Sequence, residues 1–182
     1  MAVSAISENE IDTVLEAMDA MLPDIIKQGI QSARLTRIPR VMVGGSRGAA
    51  QFISLEFFER FYFPYLKVMI RAFHQAGITS VLHFDSNWTD NLEYFLDLPR
   101  HSCILELDGT TDIFLAKEIL KGHLCIMGDV PAQLFVFGTC EEVKVYCRKL
   151  LEGPGRDGGF ILSSGCEVPP NARPENVQAL LD

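Results

Sequence analysis

Short apolar runs alternate with amphipathic segments along most of the chain. Ahead of Pro23, four apolar residues recur at helical spacing, which predicts an N-terminal helix that kinks or ends at this proline. They are Ile11, Val14, Leu15 and Met18. Farther along, five short apolar runs are bounded by glycines or by helix-capping residues, and each run predicts a strand. The runs are 38–43, 80–84, 102–107, 124–127 and 159–162.

Helix signals separate the predicted strands. Ser54 is placed to cap a second helical region. Thr139 and Glu142 have the spacing of a capping box, and Pro174 stands where a final helix would begin. Short apolar strands that alternate with helices predict an α/β fold with a parallel sheet and right-handed crossovers.

Chain length limits the choice of fold. A complete eight-stranded β/α barrel needs roughly 250 residues, and five strands in 182 residues fall short of that number. The sheet is therefore either open and doubly wound or the later part of a barrel. In both cases we expect a single domain over 1–182, with a helical segment at 1–36 and the β/α units at 37–182.

Composition narrows the function classes. The net charge of −8 argues against a nucleic-acid partner, because proteins that bind a phosphate backbone concentrate lysine and arginine. No run of about 18 uncharged apolar residues would span a bilayer, and the first residues carry neither a basic leader nor an apolar core. Five cysteines without CxxC spacing fit free thiols in a reducing compartment. We therefore expect a soluble, cytoplasmic protein that binds neither nucleic acid nor membrane.

Two polar clusters follow predicted strands that lie far apart in the sequence. His83 lies near the end of one strand and Asp85 follows it, whereas Cys166 lies in a turn framed by glycine and proline after the last strand. Loops that leave the carboxyl ends of parallel strands collect the chemistry of α/β folds, and imidazole, carboxylate and thiolate are zinc ligands. The placement predicts a zinc site. The alternative is structural, with a core histidine and a small buried thiol.

Two further residues are candidates for contact with substrate. Arg47 lies in the Gly-rich loop 44–48, where backbone amides and a guanidinium suit an anion; a solvated arginine in a flexible loop is the alternative. Asp129 follows the fourth strand, where it would either orient substrate or cap the next helix.

Five blocks of sequence, in the right order, resemble the C-terminal half of the uroporphyrinogen decarboxylase superfamily. They are 53–67, His83, Leu105–Asp108, Met127–Pro131 and Gly165–Pro170. The resemblance implies that the β/α units form the C-terminal part of a TIM-type barrel. It also implies one of two chemistries. One is metal-free decarboxylation of uroporphyrinogen, and the other is zinc-dependent methyl transfer between a methyl-corrinoid protein and a thiol such as coenzyme M.

The motif residues favour the methyltransferase branch. Decarboxylases of this superfamily carry an arginine-rich N-terminal loop, which this chain lacks, and a Gly-His-Gly turn where this chain has Gly165-Cys166-Glu167. By position, the resemblance makes His83, Glu106 and Cys166 the metal ligands. Asp85 stands where the branch has its first cysteine, and we expect it to act as a catalytic, orienting or fourth ligand group.

Three functions remain open from the sequence. The first is zinc-activated methyl transfer, in which a hard Asp85 ligand favours an acceptor other than a thiol. The second is a decarboxylase-like enzyme that uses Asp129 or Asp108 on a tetrapyrrole; Asp108 is also a candidate for contact with any small-molecule substrate. The third is a non-catalytic partial barrel that assembles with another chain, or with a second copy, to complete its sheet.

The resemblance also bears on the methyl donor. Corrinoid carriers resemble one another in an Asp-x-His-x-x-Gly loop, and no histidine of this chain has that context. We therefore expect the protein to act on a methyl-corrinoid protein and to bind no corrinoid of its own.

Overall fold

Five strands and seven helices form the described part of the chain, residues 8–182 of a computed structural model. The strands are β1 (Arg40–Gly44), β2 (Thr79–Phe84), β3 (Cys103–Leu107), β4 (Cys125–Val130) and β5 (Phe160–Ser164). The helices are α1 (Glu8–Thr36), α2 (Leu55–Phe57), α3 (Phe63–Gln75), α4 (Ile113–Leu120), α5 (Ala132–Phe137), α6 (Cys140–Glu152) and α7 (Pro174–Leu181). A π-helical turn, Phe58–Tyr62, joins α2 to α3, and 3-10 segments occupy Ser46–Gly48 and Thr89–Asp97.

The strands are all parallel, and their order in the sheet is their order in the chain, β1-β2-β3-β4-β5. In a doubly wound sheet the order reverses at a switch point, whereas in a β/α barrel each strand adds beside the preceding one. The chain therefore forms five consecutive β/α units of a TIM-type barrel. The predicted fold class is confirmed.

One face of the sheet carries the hydrophobic core. Leu82, Leu105 and Ile126 are neighbours in register on adjacent strands, and all three are fully buried. Because residues in register on adjacent strands point to the same face, these three side chains lie on one face of the sheet. This face packs against the helix layer. Full burial of one such side chain contributes roughly 1.5–3 kcal/mol, and the row therefore anchors the central strands.

The opposite face of the sheet carries two further rows in register. The first row consists of Met42, Val81, Ile104 and Cys125. The second row, nearer the carboxyl ends, consists of Gly44, His83, Glu106, Met127 and Ile161. At the two margins Met42 is 65% and Ile161 40% exposed. This face would line the interior of a closed barrel, and here its margins are open to solvent.

An aromatic cluster supports the loop that follows β1. Trp88 is fully buried and stacks on Phe84, with ring centroids 4.2 Å apart. The Tyr62 hydroxyl donates to the Gly45 carbonyl at 3.0 Å, and the Gly45 amide donates to the His83 carbonyl at 3.2 Å. A Cβ on Gly45 would lie 2.1 Å from both the Tyr62 hydroxyl and the Phe84 ring. Only glycine fits there, and the loop is held directly against β2.

Local sequence signals located most elements correctly. Each predicted strand starts within two residues of the observed one. Ser54 caps α2 by accepting from the Phe57 amide, and Thr139 with Glu142 forms a capping box at α6. Pro174 begins α7 as predicted. Among residues 8–182, no helix has both the length and the apolar character needed to cross a membrane.

The prediction that the first helix could end at Pro23 is wrong, because α1 continues through this proline to Thr36. A proline inside a helix removes one hydrogen bond and costs about 3 kcal/mol. Downstream packing offsets this cost, since Ala33 is buried in a cluster with Phe73 and Ile78. Tertiary contact therefore overrides the local helix-breaking signal.

The close approach at Gly45 leads to a stability prediction. We expect Gly45→Ala to lower the free energy of unfolding by about 1–3 kcal/mol, because the new methyl group overlaps Tyr62 and Phe84. The matched control is Gly44→Ala in the same segment, where a Cβ meets nothing within 4 Å. Urea unfolding followed by the fluorescence of Trp88, the single tryptophan, measures both variants. Equal stabilities of the two variants would contradict the packing argument.

Candidate metal centre

Four predicted site residues meet at the carboxyl end of the sheet. His83 and Glu106 are direct neighbours in the β2–β3 register, on the face opposite the main core. Asp85 follows β2 immediately, and Cys166 lies in the turn after β5. The strands that carry these residues are parallel, so their carboxyl ends form one rim and bring together residues up to 83 positions apart.

His83 is the centre of this group. Its Nδ1 lies 2.9 Å from Glu106 Oε2. On the other side of the ring, Nε2 lies 3.4 Å from Asp85 Oδ1 and 3.9 Å from Cys166 Sγ. A carboxylate accepts hydrogen bonds, so Glu106 favours the tautomer that carries its proton on Nδ1. That tautomer leaves the lone pair of Nε2 directed toward Asp85 and Cys166.

The donor atoms of His83, Asp85 and Cys166 fit one metal ion. All three lie within 4.8 Å of one another. Zinc bonds of about 2.0–2.3 Å in a tetrahedron place neighbouring donor atoms roughly 3.3–3.8 Å apart. The two distances from Nε2, 3.4 and 3.9 Å, are close to that range without rearrangement. Glu106 lies outside this trio, on the far nitrogen of the same imidazole.

The electrostatics of the cluster favour a cation. Burial is the main cause that raises the pKa of the Cys166 thiol. A hydrogen bond from the Glu167 backbone opposes this effect, and the nearby carboxylates of Asp85 and Asp108 add smaller increases. A thiolate at this position therefore meets like charge. A bound divalent cation reverses the balance, because it attracts the thiolate and both carboxylates together.

Asp108 holds two of the site loops in place. Its Oδ2 accepts from the Ser86 amide at 2.8 Å, and its Oδ1 accepts from the Thr110 amide at 2.9 Å. Ser86 has φ 80°, in the left-handed region, so the bond to Asp108 stabilises a strained residue next to Asp85. A Cβ on Gly165 would lie 2.8 Å from the Asp108 backbone. The turn that presents Cys166 therefore packs directly on this residue.

Three supporting residues were missed by the sequence reasoning. Trp88 Nε1 donates to the Asp85 carbonyl at 2.9 Å, and the Thr111 hydroxyl donates to the Ser86 carbonyl at 3.1 Å. The Ser46 hydroxyl donates to Asp85 Oδ2 at 2.8 Å. Ser46 lies 39 positions from its partner, and its only sequence signal is its place in the glycine-rich loop.

Two predicted site residues lie away from the cluster. The Arg47 guanidinium stands over the Phe52 ring, 5.3 Å from its centroid. Asp129 is 2% exposed and accepts from the Tyr146 hydroxyl of α6 at 3.0 Å, so its carboxylate lies against the helix layer. Burial raises the pKa of Asp129, with a smaller opposing effect from the Tyr146 hydrogen bond. Neither side chain contacts His83 or Cys166 in the hydrogen bonds of the described residues.

The chain is similar to curated proteins of two kinds. The methylcobamide:CoM methyltransferase MtbA of Methanosarcina mazei is 26% identical over 132 residues, which are 72% of this chain and 37% of the relative. The uroporphyrinogen decarboxylase of Anaeromyxobacter dehalogenans is 25% identical over 178 residues, 94% of this chain and 50% of the relative. The chain thus spans at most about half the length of these curated relatives.

A solved structure shows the same fold. The chain superposes on a methyltransferase from Methanosarcina mazei with a TM-score of 0.64 and 19% identity, over 78% of this chain and 40% of the other. The sequence model of the uroporphyrinogen decarboxylase (URO-D) family matches residues 7–182, almost the whole chain. With its parallel β/α units and the order of its motifs, this chain belongs to the uroporphyrinogen decarboxylase family.

Proposed function

We propose that this chain carries the zinc-binding part of a methyltransferase that moves a methyl group from a methyl-corrinoid protein to a thiol or a similar acceptor. The observation that carries the proposal is the convergence of His83 Nε2, Asp85 and Cys166 at the rim of the sheet. The chain is similar to a methylcobamide:CoM methyltransferase and, to about the same degree, to a uroporphyrinogen decarboxylase, so the choice between the two chemistries rests on the donor trio.

A metal-free Cys/His pair is the competing interpretation of the same atoms. Glu106, His83 and Cys166 stand in a row like the members of a nucleophilic triad. Such a triad needs a lowered thiol pKa, whereas burial and nearby carboxylates raise the pKa of Cys166. Asp85 also lies closer to Nε2 than the sulfur does. The arrangement therefore favours a metal site over a bare nucleophile.

Each residue has a defined task in this proposal. His83, Asp85 and Cys166 supply nitrogen, oxygen and sulfur ligands, and Glu106 orients the His83 ring from behind. These three residues would hold a zinc ion with a fourth position left for an acceptor, and the ion would supply Lewis-acid chemistry there. Asp85 is 39% exposed at its side chain, so the cluster is open to an incoming molecule. One carboxylate in place of a thiolate makes the bound ion harder and extends the range of acceptors beyond thiols.

The proposed reaction balances without an external oxidant or reductant. A thiol acceptor loses its proton to solvent, and its sulfur forms a bond to the methyl carbon. The carbon–cobalt bond breaks at the same time, and its electron pair stays on the cobalt of the donor. The chain's residues bind and orient the acceptor in this scheme, and the corrinoid enters as a substrate on its own protein.

Decarboxylation is less well supported by the geometry. Asp108 is held by the Ser86 and Thr110 amides, and Asp129 is buried against Tyr146. A carboxylate that stabilises a protonated pyrrole must face the substrate, and both of these groups are already engaged in the structure. The methyltransferase therefore stands as the first candidate.

Metal content tests the proposed site. We expect about one zinc per chain in the purified protein after dialysis without chelator, and loss of most of it in Cys166→Ala. Cys125→Ala is the matched control, because this thiol lies at the opposite end of β4 and outside the donor cluster. Elemental analysis of the three proteins gives the answer. A folded wild-type protein that takes up no zinc would overturn the proposal.

Methyl transfer tests the proposed reaction. With zinc bound, we expect the chain to accelerate the loss of the methyl group from free methylcobalamin when coenzyme M is added, as followed by the visible absorbance of the corrinoid. Cys166→Ala should reduce the rate to that of the buffer. If the protein binds zinc but the corrinoid absorbance does not change when the thiol is added, the metal site stands and a thiol is excluded as the acceptor.

Glu106 allows a test of which groups ligate the ion. If Glu106 only orients His83, Glu106→Ala should weaken zinc binding about 10–100-fold, while Glu106→Gln, which keeps a hydrogen-bond acceptor, should retain most of the affinity. Glu118→Ala, an exposed site on α4, is the control. Competition with a chromogenic chelator measures all four proteins. Equal and severe losses in the alanine and glutamine variants would instead make Glu106 a direct ligand.

A further inference from the structure

Ser46 occupies a rigid position beside the proposed metal centre. The loop that carries it is tied to β2 by the hydrogen bond from the Gly45 amide to the His83 carbonyl. It is also tied to the π-helical turn Phe58–Tyr62, because the Tyr62 hydroxyl donates to the Gly45 carbonyl. On the other side, a Cβ on Gly48 would lie 2.5 Å from the Tyr62 ring. Two glycines without room for a side chain therefore fix the backbone on both sides of Ser46.

The Ser46 hydroxyl makes the two carboxylate oxygens of Asp85 inequivalent. It donates to Oδ2 at 2.8 Å, whereas Oδ1 lies 3.4 Å from His83 Nε2. An aspartate that is 39% exposed would otherwise rotate freely about its terminal torsion and exchange its oxygens. With Oδ2 held by Ser46, Oδ1 is the oxygen presented to the donor cluster.

We propose that Ser46 is a positioning residue that makes Asp85 a ligand through the single oxygen Oδ1 and thereby sets the affinity of the site for a divalent cation. This inference rests on the proposed metal site. In it, Ser46 orients the ligand Asp85 in the same way that Glu106 orients the ligand His83. Groups that hydrogen-bond to ligating carboxylates typically change metal affinity 10–100-fold when they are removed. Among the hydrogen bonds of residues 8–182, the Ser46 hydroxyl makes one, the bond to Asp85.

A double-mutant cycle tests the proposal. Zinc affinity is measured by chelator competition in wild type, Ser46→Ala, Asp85→Ala and the double variant. We expect Ser46→Ala to weaken binding about 10–100-fold and to have no further effect once Asp85 is alanine. Ser46→Thr keeps the hydroxyl and should restore an affinity close to that of wild type. Ser32→Ala, an exposed serine on α1, is the control for the substitution itself.

Two more readouts separate positioning from a structural role. Urea unfolding of the metal-free proteins should be nearly the same for wild type and Ser46→Ala, and the visible absorption of bound Co²⁺ should change in Ser46→Ala and recover in Ser46→Thr. Wild-type affinity in Ser46→Ala, or an equal loss in the Asp85→Ala background, would overturn the proposal while leaving the metal site intact. Absence of zinc and cobalt binding in every protein, including wild type, would overturn the metal site itself and this inference with it.

Discussion

The parallel register of β2 on β3 is the constraint on which the site depends. It places His83 directly beside Glu106 at the carboxyl end of the sheet. A shift of one residue would send His83 to the helix-covered face, where Leu82 and Phe84 are now fully or almost fully buried. The hydrophobic core therefore determines where the imidazole lies, and no separate device is needed to bring it to the rim.

Around this imidazole the structure collects three carboxylates and a thiol. Glu106 and Asp85 contact opposite nitrogens of His83, and Cys166 and Asp108 stand close by. Beyond the effect of burial, the carboxylates of Asp85 and Asp108 contribute to the raised pKa of the Cys166 thiol, and a bound cation would offset their effect. The same arrangement that resists a free thiolate at Cys166 is the arrangement that would hold a divalent ion, so electrostatics and geometry support the same proposal.

The open sheet face gives the site its surroundings. His83 and Glu106 lie on the face of the sheet opposite the main core, two residues closer to the carboxyl ends than the row from Met42 to Cys125. The margins of this face are exposed. A closed barrel would enclose this face and surround the rim with loops from every unit. The two relatives described above are at least about twice as long as the region that this chain matches. The proposed reaction uses only residues that lie on the rim of this chain.

The sequence by itself determined the β/α alternation, the starts of the strands and the presence of His83, Asp85 and Cys166 near strand ends. These features depend on short-range patterns, since alternation, caps and glycines act within a few residues. Only the tertiary structure decided that Asp85 joins the donor trio, that Glu106 takes the opposite nitrogen, that Asp129 turns toward Tyr146 and that Ser46 reaches Asp85. Some of these features are contacts between residues far apart in the sequence, such as Asp129 with Tyr146, 17 positions away, and Ser46 with Asp85, 39 positions away. The others depend on the direction of a single side chain. Patterns within a few residues of sequence encode neither.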